Sequence, residues 1–245
     1  MIQNYKILSI IPCRSGSTGL PGKNFKDFYG RPLFFWSLDA SIKSKYVDLT
    51  VVSTNDQNVQ GKMYGYMHSN IRSNIQCMWR PDELCTATSK SEETLIHVSK
   101  ELKNKYDIIV MLQATSPIRT NNLLDKCIEK FIEEKSDSLL TVGKDNPFIW
   151  KMIDGKPVAS YDYKNRPMRQ EIKENEWVYK DDGNVYIVKK DILLKEKCRI
   201  GGKVSLFESD SFQTLQIDTI EDFQIMESVA KVIGGPLSNK EEQNV

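Results

Sequence analysis

The chain has 245 residues, with 34 Lys and Arg against 33 Asp and Glu, for a net charge of +1. That balance argues against a dedicated nucleic-acid or membrane-surface binder, while leaving room for a local basic cleft. No signal-peptide pattern opens the sequence and no apolar run is long enough to span a bilayer, so the expected setting is cytoplasmic, without membrane or nucleic acid as partner. The five cysteines form no Cys-x-x-Cys pair and read as reduced thiols; with only His68 and His97 beside them, a zinc site is not expected.

An apolar run at 7–11 reads as a buried first strand. It leads straight into Ile11-Pro12-Cys13-Arg14-Ser15-Gly16-Ser17-Thr18-Gly19-Leu20-Pro21-Gly22-Lys23-Asn24, a long basic loop punctuated by glycine. Ligands of open α/β sheets bind at the carboxyl ends of strands. There Gly16, Gly19 and Gly22 let the backbone turn its N–H groups toward an anion. Arg14 and Lys23 add positive charge, and Ser17 and Thr18 add hydroxyl donors. These residue types suit a polyphosphate, above all a nucleoside triphosphate. The loop has neither the Gly-Lys-Ser/Thr ending of a P-loop nor the Gly-x-Gly-x-x-Gly of a dinucleotide fold. Cys13, beside it, reads as a small packing residue, with a reactive thiol as the alternative.

Further elements alternate. A helix is predicted at 33–44, a strand at 49–53, a helix at 58–68 and a strand at 75–79. A helix follows at 89–103, with apolar spacing at Leu95, Val98 and Leu102. The run 107–112 is apolar on both faces and reads as a central strand. Then come a helix at 123–132, with Asn121 or Asn122 as its cap, and a strand at 138–142. Between 144 and 182 prolines, charges and aromatics replace the pattern, which reads as an arm projecting from the sheet. Strands at 184–188, 204–207 and 214–217 and a helix at 220–232 complete the domain, taken as residues 1–235. Residues 236–245 read as a polar tail. This alternation predicts an α/β fold, a Rossmann-like three-layer sandwich with a mostly parallel central sheet.

Further clusters fall at strand ends: Arg80-Pro81-Asp82-Glu83-Leu84 followed by Thr86 to Ser91, Gln113 to Arg119, and Ile217 to Asp222. With the glycine loop they outline one crevice. Together these motifs resemble the acylneuraminate cytidylyltransferase family, the CMP-sialic acid synthetases and their relatives. The resemblance rests on residues 11–24, Arg80-Pro81-x-Glu83-Leu84, Leu112-Gln113-x-Thr115-Ser116-Pro117-x-Arg119 and Ile217-Asp218-x-x-x-Asp222, and runs from about Ile7 to Asp222.

The resemblance implies transfer of CMP from CTP to a hydroxyl of an acidic sugar, with release of pyrophosphate and with Mg²⁺. Arg14, Ser15, Gly16, Ser17, Thr18 and Gly19 would hold the triphosphate. Lys23 and Asn24 would contact phosphate and ribose, and Arg80 and Ser91 would read cytosine. Gln113 would contact the nucleotide and lie by the attacking sugar, with Thr115 and Ser116 near it. Lys151, Arg169 and Lys180 would meet the acid, some from the second subunit of a homodimer joined through the arm. Catalysis would fall to Arg14, Lys23, Gln113 and Asp218. From local sequence alone, Arg169 could equally pair with Glu171 or Glu174.

Some positions depart from the family pattern. Thr18 stands where a cation is usual, and Gln216 replaces the first carboxylate of an Asp-x-Asp. Asp182 precedes Gly183 where Asn is usual. Metal binding is therefore expected at Asp218, with Gln216 or Asp182 as weaker ligands; Asp182 also reads as a plain turn residue. The alternatives left open are the same reaction on a Kdo-like or other acid, and a CTP-binding module without turnover.

Overall fold

The structure, a computed structural model, describes residues 4–16, 19–69 and 74–238. Its elements are β1 (Ile7–Pro12), a ribbon of β2 (Asp27–Phe28) and β3 (Arg31–Pro32), α1 (Phe34–Lys43), β4 (Leu49–Thr54), α2 (Gln57–Ser69), β5 (Ile75–Trp79) and α3 (Ser91–Glu101). They continue with β6 (Ile108–Leu112), α4 (Leu123–Glu133), β7 (Ser138–Asp145), the hairpin β8 (Trp150–Ile153) and β9 (Lys156–Ala159), β10 (Val178–Lys189), α5 (Lys190–Glu196), β11 (Val204–Glu208) and α6 (Ile220–Val232).

The seven-stranded sheet runs β11-β7-β10-β6-β1-β4-β5. Only β10 runs against its neighbours, β6 and β7. β1 lies between β4 and β6, parallel to both. The chain first winds outward through β4 and β5, then returns to β6 on the other side of β1. That reversal makes a topological switch point, the place where such sheets bind ligands.

Alternation along β1 explains the layers. Ile7 and Ile11 point to one face, where Phe34, Leu38, Val59, Met63, Leu124, Ile128 and Phe131 of α1, α2 and α4 cover them. Leu8 and Ile10 point to the other, against Leu95 and Val98 of α3 and Leu193 of α5. Burial on both faces is why β6 reads as an unbroken apolar run, and it also buries Ser9 of β1 and Thr50, Ser53 and Thr54 of β4.

A third, smaller core matters most for the crevice. Leu20 from the glycine loop, Ile118 from the loop after β6 and Ile217 pack together with Phe28, Leu33, Phe223, Met226 and Ala230. Phe28 and Phe223 meet edge-to-face at 5.4 Å. Loops distant in sequence thus share one apolar anchor under the ligand-binding edge.

The strand expected at 214–217 does not form. Its backbone is bonded elsewhere: the Ile217 N–H donates to Thr115 O at 2.9 Å, and Asn184 Nδ2 donates to Gln213 O at 3.0 Å. The segment is an extended strap across strand ends. At the start of α4, Asn122 holds the capping position in a left-handed conformation (φ 55°) but makes no side-chain cap bond. Both ends of the expected arm belong to the sheet: residues 178–182 lie in β10 and 144–145 in β7, the two pairing out to Val178↔Asp145. Beyond it the arm is the β8–β9 hairpin, with Phe148 on Tyr161 at 4.9 Å and Trp150 against Tyr163 at 5.4 Å. The first residues of the expected tail are docked, since Pro236 O accepts the Arg119 N–H at 2.8 Å.

Candidate active site

The loop after β1 is held at both ends. Cys13 N–H donates to Ser53 O at 2.8 Å, and Asn55 Oδ1 accepts from Ser15 N–H and Oγ at 2.9 and 3.1 Å. Asn24 Nδ2 reaches back to Arg14 O at 3.1 Å, closing the loop on itself. Gly16 adopts φ +73°, a left-handed conformation that favours glycine. Cys13 is fully buried, and burial pushes its thiol up to about 12, so it packs and does not react. Ser17 and Thr18 lie outside the described residues.

Above this loop opens a crevice of about 390 Å³, lined by Arg14, Gly19, Lys23, Asn24, Arg80, Lys90, Ser91, Gln113, Thr115, Gln216 and Asp218 among others. Among the described residues, four cations line it against a single carboxylate, although the whole chain is nearly neutral. Lys23 Nζ bonds Asp218 Oδ1 at 3.1 Å and Ile217 O at 2.9 Å. Arg14 donates from Nη1 to Thr86 O, joining the glycine loop to the segment after β5. Arg80 is buried, with Nη2 on Ser53 O at 2.7 Å and Nε on Ser53 Oγ at 3.3 Å. Burial pushes its guanidinium below the usual arginine range. Ser91 is the first residue of α3, so that helix begins at the crevice wall.

On the β6 side, Thr115 Oγ1 donates to Gln113 Oε1 at 3.2 Å, which leaves the Gln113 amide N–H groups as its free polar end. Ser116 is buried beneath, its hydroxyl 3.5 Å from Gly183 O. The strap 214–218 divides the crevice from a second cavity of about 310 Å³. Gln216 and Asp218 line the first; Thr214 and Leu215 line the second, with Lys144, Lys180, Asp182 and Glu208. Lys180 thus opens beside the crevice.

Asp182 is buried, taking the Thr141 hydroxyl and the Asn184 N–H (2.9 Å) on Oδ1. Burial raises its carboxyl above the ordinary range. It lines the second cavity, whereas Asp218 lines the first. Gly183 adopts φ +68°, a left-handed conformation that favours glycine, and the Gln216 amide lies over it where a Cβ would stand.

Lys151 and Arg169 are exposed on the arm and line neither cavity. The sequence alternatives for Arg169 are engaged elsewhere: Glu174 pairs with Lys144 at 3.0 Å, and Glu171 accepts the Met168 N–H at 2.8 Å. Among the described residues, no group of three or more His, Cys, Asp and Glu side chains could hold a metal ion. Asp218 and Gln216 both line the crevice and carry oxygens of the kind a hard cation takes. Such an ion takes its remaining oxygens from phosphates and water. Sequence reading missed Lys90, although it stands beside Ser91 in a segment already singled out.

A family model described as a cytidylyltransferase matches residues 8–230 of the chain. The chain belongs to that cytidylyltransferase family. Among relatives, it is 27% identical over 233 residues to a pseudaminic acid cytidylyltransferase of Campylobacter jejuni, covering 93% of this chain and 97% of the relative. It is also 27% identical over 226 residues to an N-acylneuraminate cytidylyltransferase of Escherichia coli, covering 90% of this chain but 51% of the relative. The fold of this cytidylyltransferase is similar to that of a solved CMP:2-keto-3-deoxy-manno-octonic acid synthetase complexed with CTP. The TM-score there is 0.67 at 14% identity, over 93% of this chain and 99% of that one. It is likewise similar to a 4-diphosphocytidyl-2C-methyl-D-erythritol synthase from Anaerococcus prevotii, with TM-score 0.66 at 14% identity over 93% and 96%. Among the described residues no helix is long and apolar enough to cross a membrane.

Proposed function

We propose that this cytidylyltransferase transfers CMP from CTP to a hydroxyl of an acidic sugar of the nonulosonic class and releases pyrophosphate. The observation that carries the reading is the crevice at the switch point, lined among the described residues by four cations against one carboxylate. The pseudaminic acid relative, matched along almost its full length, supports a nonulosonic acceptor. The acceptor hydroxyl oxygen attacks the α-phosphorus in line and gives up its proton to solvent; a new P–O bond forms and the bond to the β-phosphate bridging oxygen breaks, releasing pyrophosphate. Little covalent work falls to the protein in such a transfer, so positioning and charge stabilisation dominate.

Arg14, Lys23 and Lys90 hold the triphosphate, and Arg80 and Ser91 flank the base. Gln113 orients the acceptor through its free amide N–H groups. Lys180 offers a charge to the acceptor carboxylate from the second cavity. Asp218 and Gln216 would hold Mg²⁺, which neutralises phosphate charge when bound. In this proposal the reaction takes place in the cytoplasm.

Lys151 and Arg169 reach the acid across a homodimer in this proposal. Its support is the arm's exposed apolar surface: Trp150, Met152, Ile153, Val158, Tyr163 and Met168 are all at least 44% exposed. Light scattering should give a dimer, and Met152→Asp should give monomers; a monomeric wild type would end the arm assignment. The reaction itself is tested by pyrophosphate release with CTP, UTP, ATP and GTP beside an acidic sugar. Release with CTP alone is expected, and release with another nucleotide in preference to CTP refutes the base assignment.

A further inference from the structure

We propose that Arg119 is a positioning residue for cytidylyl transfer, a buried clamp that fixes Gln113 at the crevice wall; the catalytic part of this inference rests on the reaction proposed above. Arg119 is 3% exposed, the last residue of the Leu-Gln-x-Thr-Ser-Pro-x-Arg motif, and touches neither cavity described above. Its guanidinium spans three elements. Nη1 donates to Ser37 Oγ of α1 at 2.9 Å. Nη2 donates to Gln113 O at 2.8 Å and to Asn184 O of β10 at 3.0 Å. Ser37 Oγ in turn donates to the same Gln113 oxygen at 3.0 Å, closing a ring of hydrogen bonds around that one carbonyl.

The clamp extends under the crevice floor. Asn184 Nδ2 donates to Ile118 O and to Gln213 O, both at 3.0 Å, and Gln213 Nε2 donates to Thr120 Oγ1 at 2.9 Å. One buried layer therefore ties together the 113–120 loop, the start of β10's buried half and the strap that carries Gln216 and Asp218. A planar guanidinium can serve two carbonyls and a hydroxyl at fixed angles, which an ammonium cannot. Keeping a cation here carries a burial cost, visible in a guanidinium pushed down to about 9 despite the opposing charge of Asp182. A purely apolar filler would avoid that cost. What the arginine adds is a fixed position for the residue whose side chain faces the acceptor.

The test is Arg119→Lys, with steady-state kinetics and hydrogen exchange in the presence of CTP. Displacements near 1 Å at a reacting group cost about 10²-fold in rate. The expected result is kcat lower by about that factor, an unchanged KM for CTP because Arg14, Lys23 and Arg80 are untouched, and faster amide exchange confined to 113–118 and 183–185. Wild-type kcat per folded molecule, or unchanged exchange in those segments, overturns the proposal. Should the wild type turn over no acidic sugar, the proposed reaction fails while the exchange comparison still decides the clamp. If Arg119→Lys does not fold, Ser37→Ala decides it instead: removing the hydroxyl that bridges Arg119 and Gln113 O should lower kcat by about threefold to tenfold with the same local exchange pattern, and a Ser37→Ala enzyme with wild-type kcat and exchange overturns it.

Discussion

Gly19→Ala isolates the contact between the glycine loop and the Asp218 strap. An alanine Cβ at 19 would sit 2.5 Å from the backbone oxygen of Asp218, and contacts under 3.0 Å are essentially never found for real Cβ atoms. The loop and the strap must therefore part by at least 0.5 Å, and the obstacle is main chain, which cannot rotate aside. That movement acts on the Lys23–Asp218 pair (3.1 Å) and the Lys23–Ile217 bond (2.9 Å), both of which cross the same gap. Misplacement on this scale, at a centre whose work is positioning, predicts a fall in kcat/KM for CTP of about 10²-fold. Gly19 is exposed. Global stability should change by no more than about 1 kcal/mol, or roughly 2–4 °C in Tm. The assay is pyrophosphate release at varied CTP, with a thermal melt on the same sample. A folded variant with wild-type kcat/KM would refute the argument that the loop must touch the strap.

Asp218→Asn should reduce turnover by about 10²-fold or more at any Mg²⁺ concentration, while Tm stays put because the carboxylate is 71% exposed; unchanged turnover removes Asp218 from the metal. For Asp182, burial holds the folded carboxyl above its unfolded value, so its contribution to stability is present at low pH and is lost as pH rises through the folded pKa. Asp182→Asn should accordingly gain in Tm relative to wild type from about pH 4 upward, with its Mg²⁺ requirement unaltered; a flat difference curve, or a shifted Mg²⁺ requirement, contradicts the buried, non-ligating assignment. Lys90→Met should raise the KM for CTP by about fivefold with kcat unchanged, the size expected of one partly solvated charge contact, and equal KM values would exclude Lys90 from the triphosphate site.

Much of the architecture was legible because strands buried on both faces leave little ambiguity. Residues 108–112 are apolar throughout and do lie between β1 and β10. Part of the crevice lining was legible for a related reason: Arg14, Arg80 and Gln113 sit in short motifs directly after parallel strands, so finding the strand locates the loop. The strap at 214–217 misled because Leu215 and Ile217 alternate as a strand would, yet only Ile217 is fully buried, and in the small third core. Periodicity cannot distinguish a sheet partner from a loop neighbour. Lys90 was passed over because nothing in a run of small polar residues marks which side chain faces the cleft. The role of Arg119 was hidden for the opposite reason. It stood inside a recognised motif, but its partners Ser37 and Asn184 are 82 and 65 residues away in sequence.

Incubating the enzyme with CTP, Mg²⁺ and, in turn, each of a panel of acidic sugars, and following products by mass spectrometry, addresses the central claim most directly. A CMP-linked sugar acid appearing in step with pyrophosphate is the predicted result. Binding of CTP without product from any acid in the panel would contradict it.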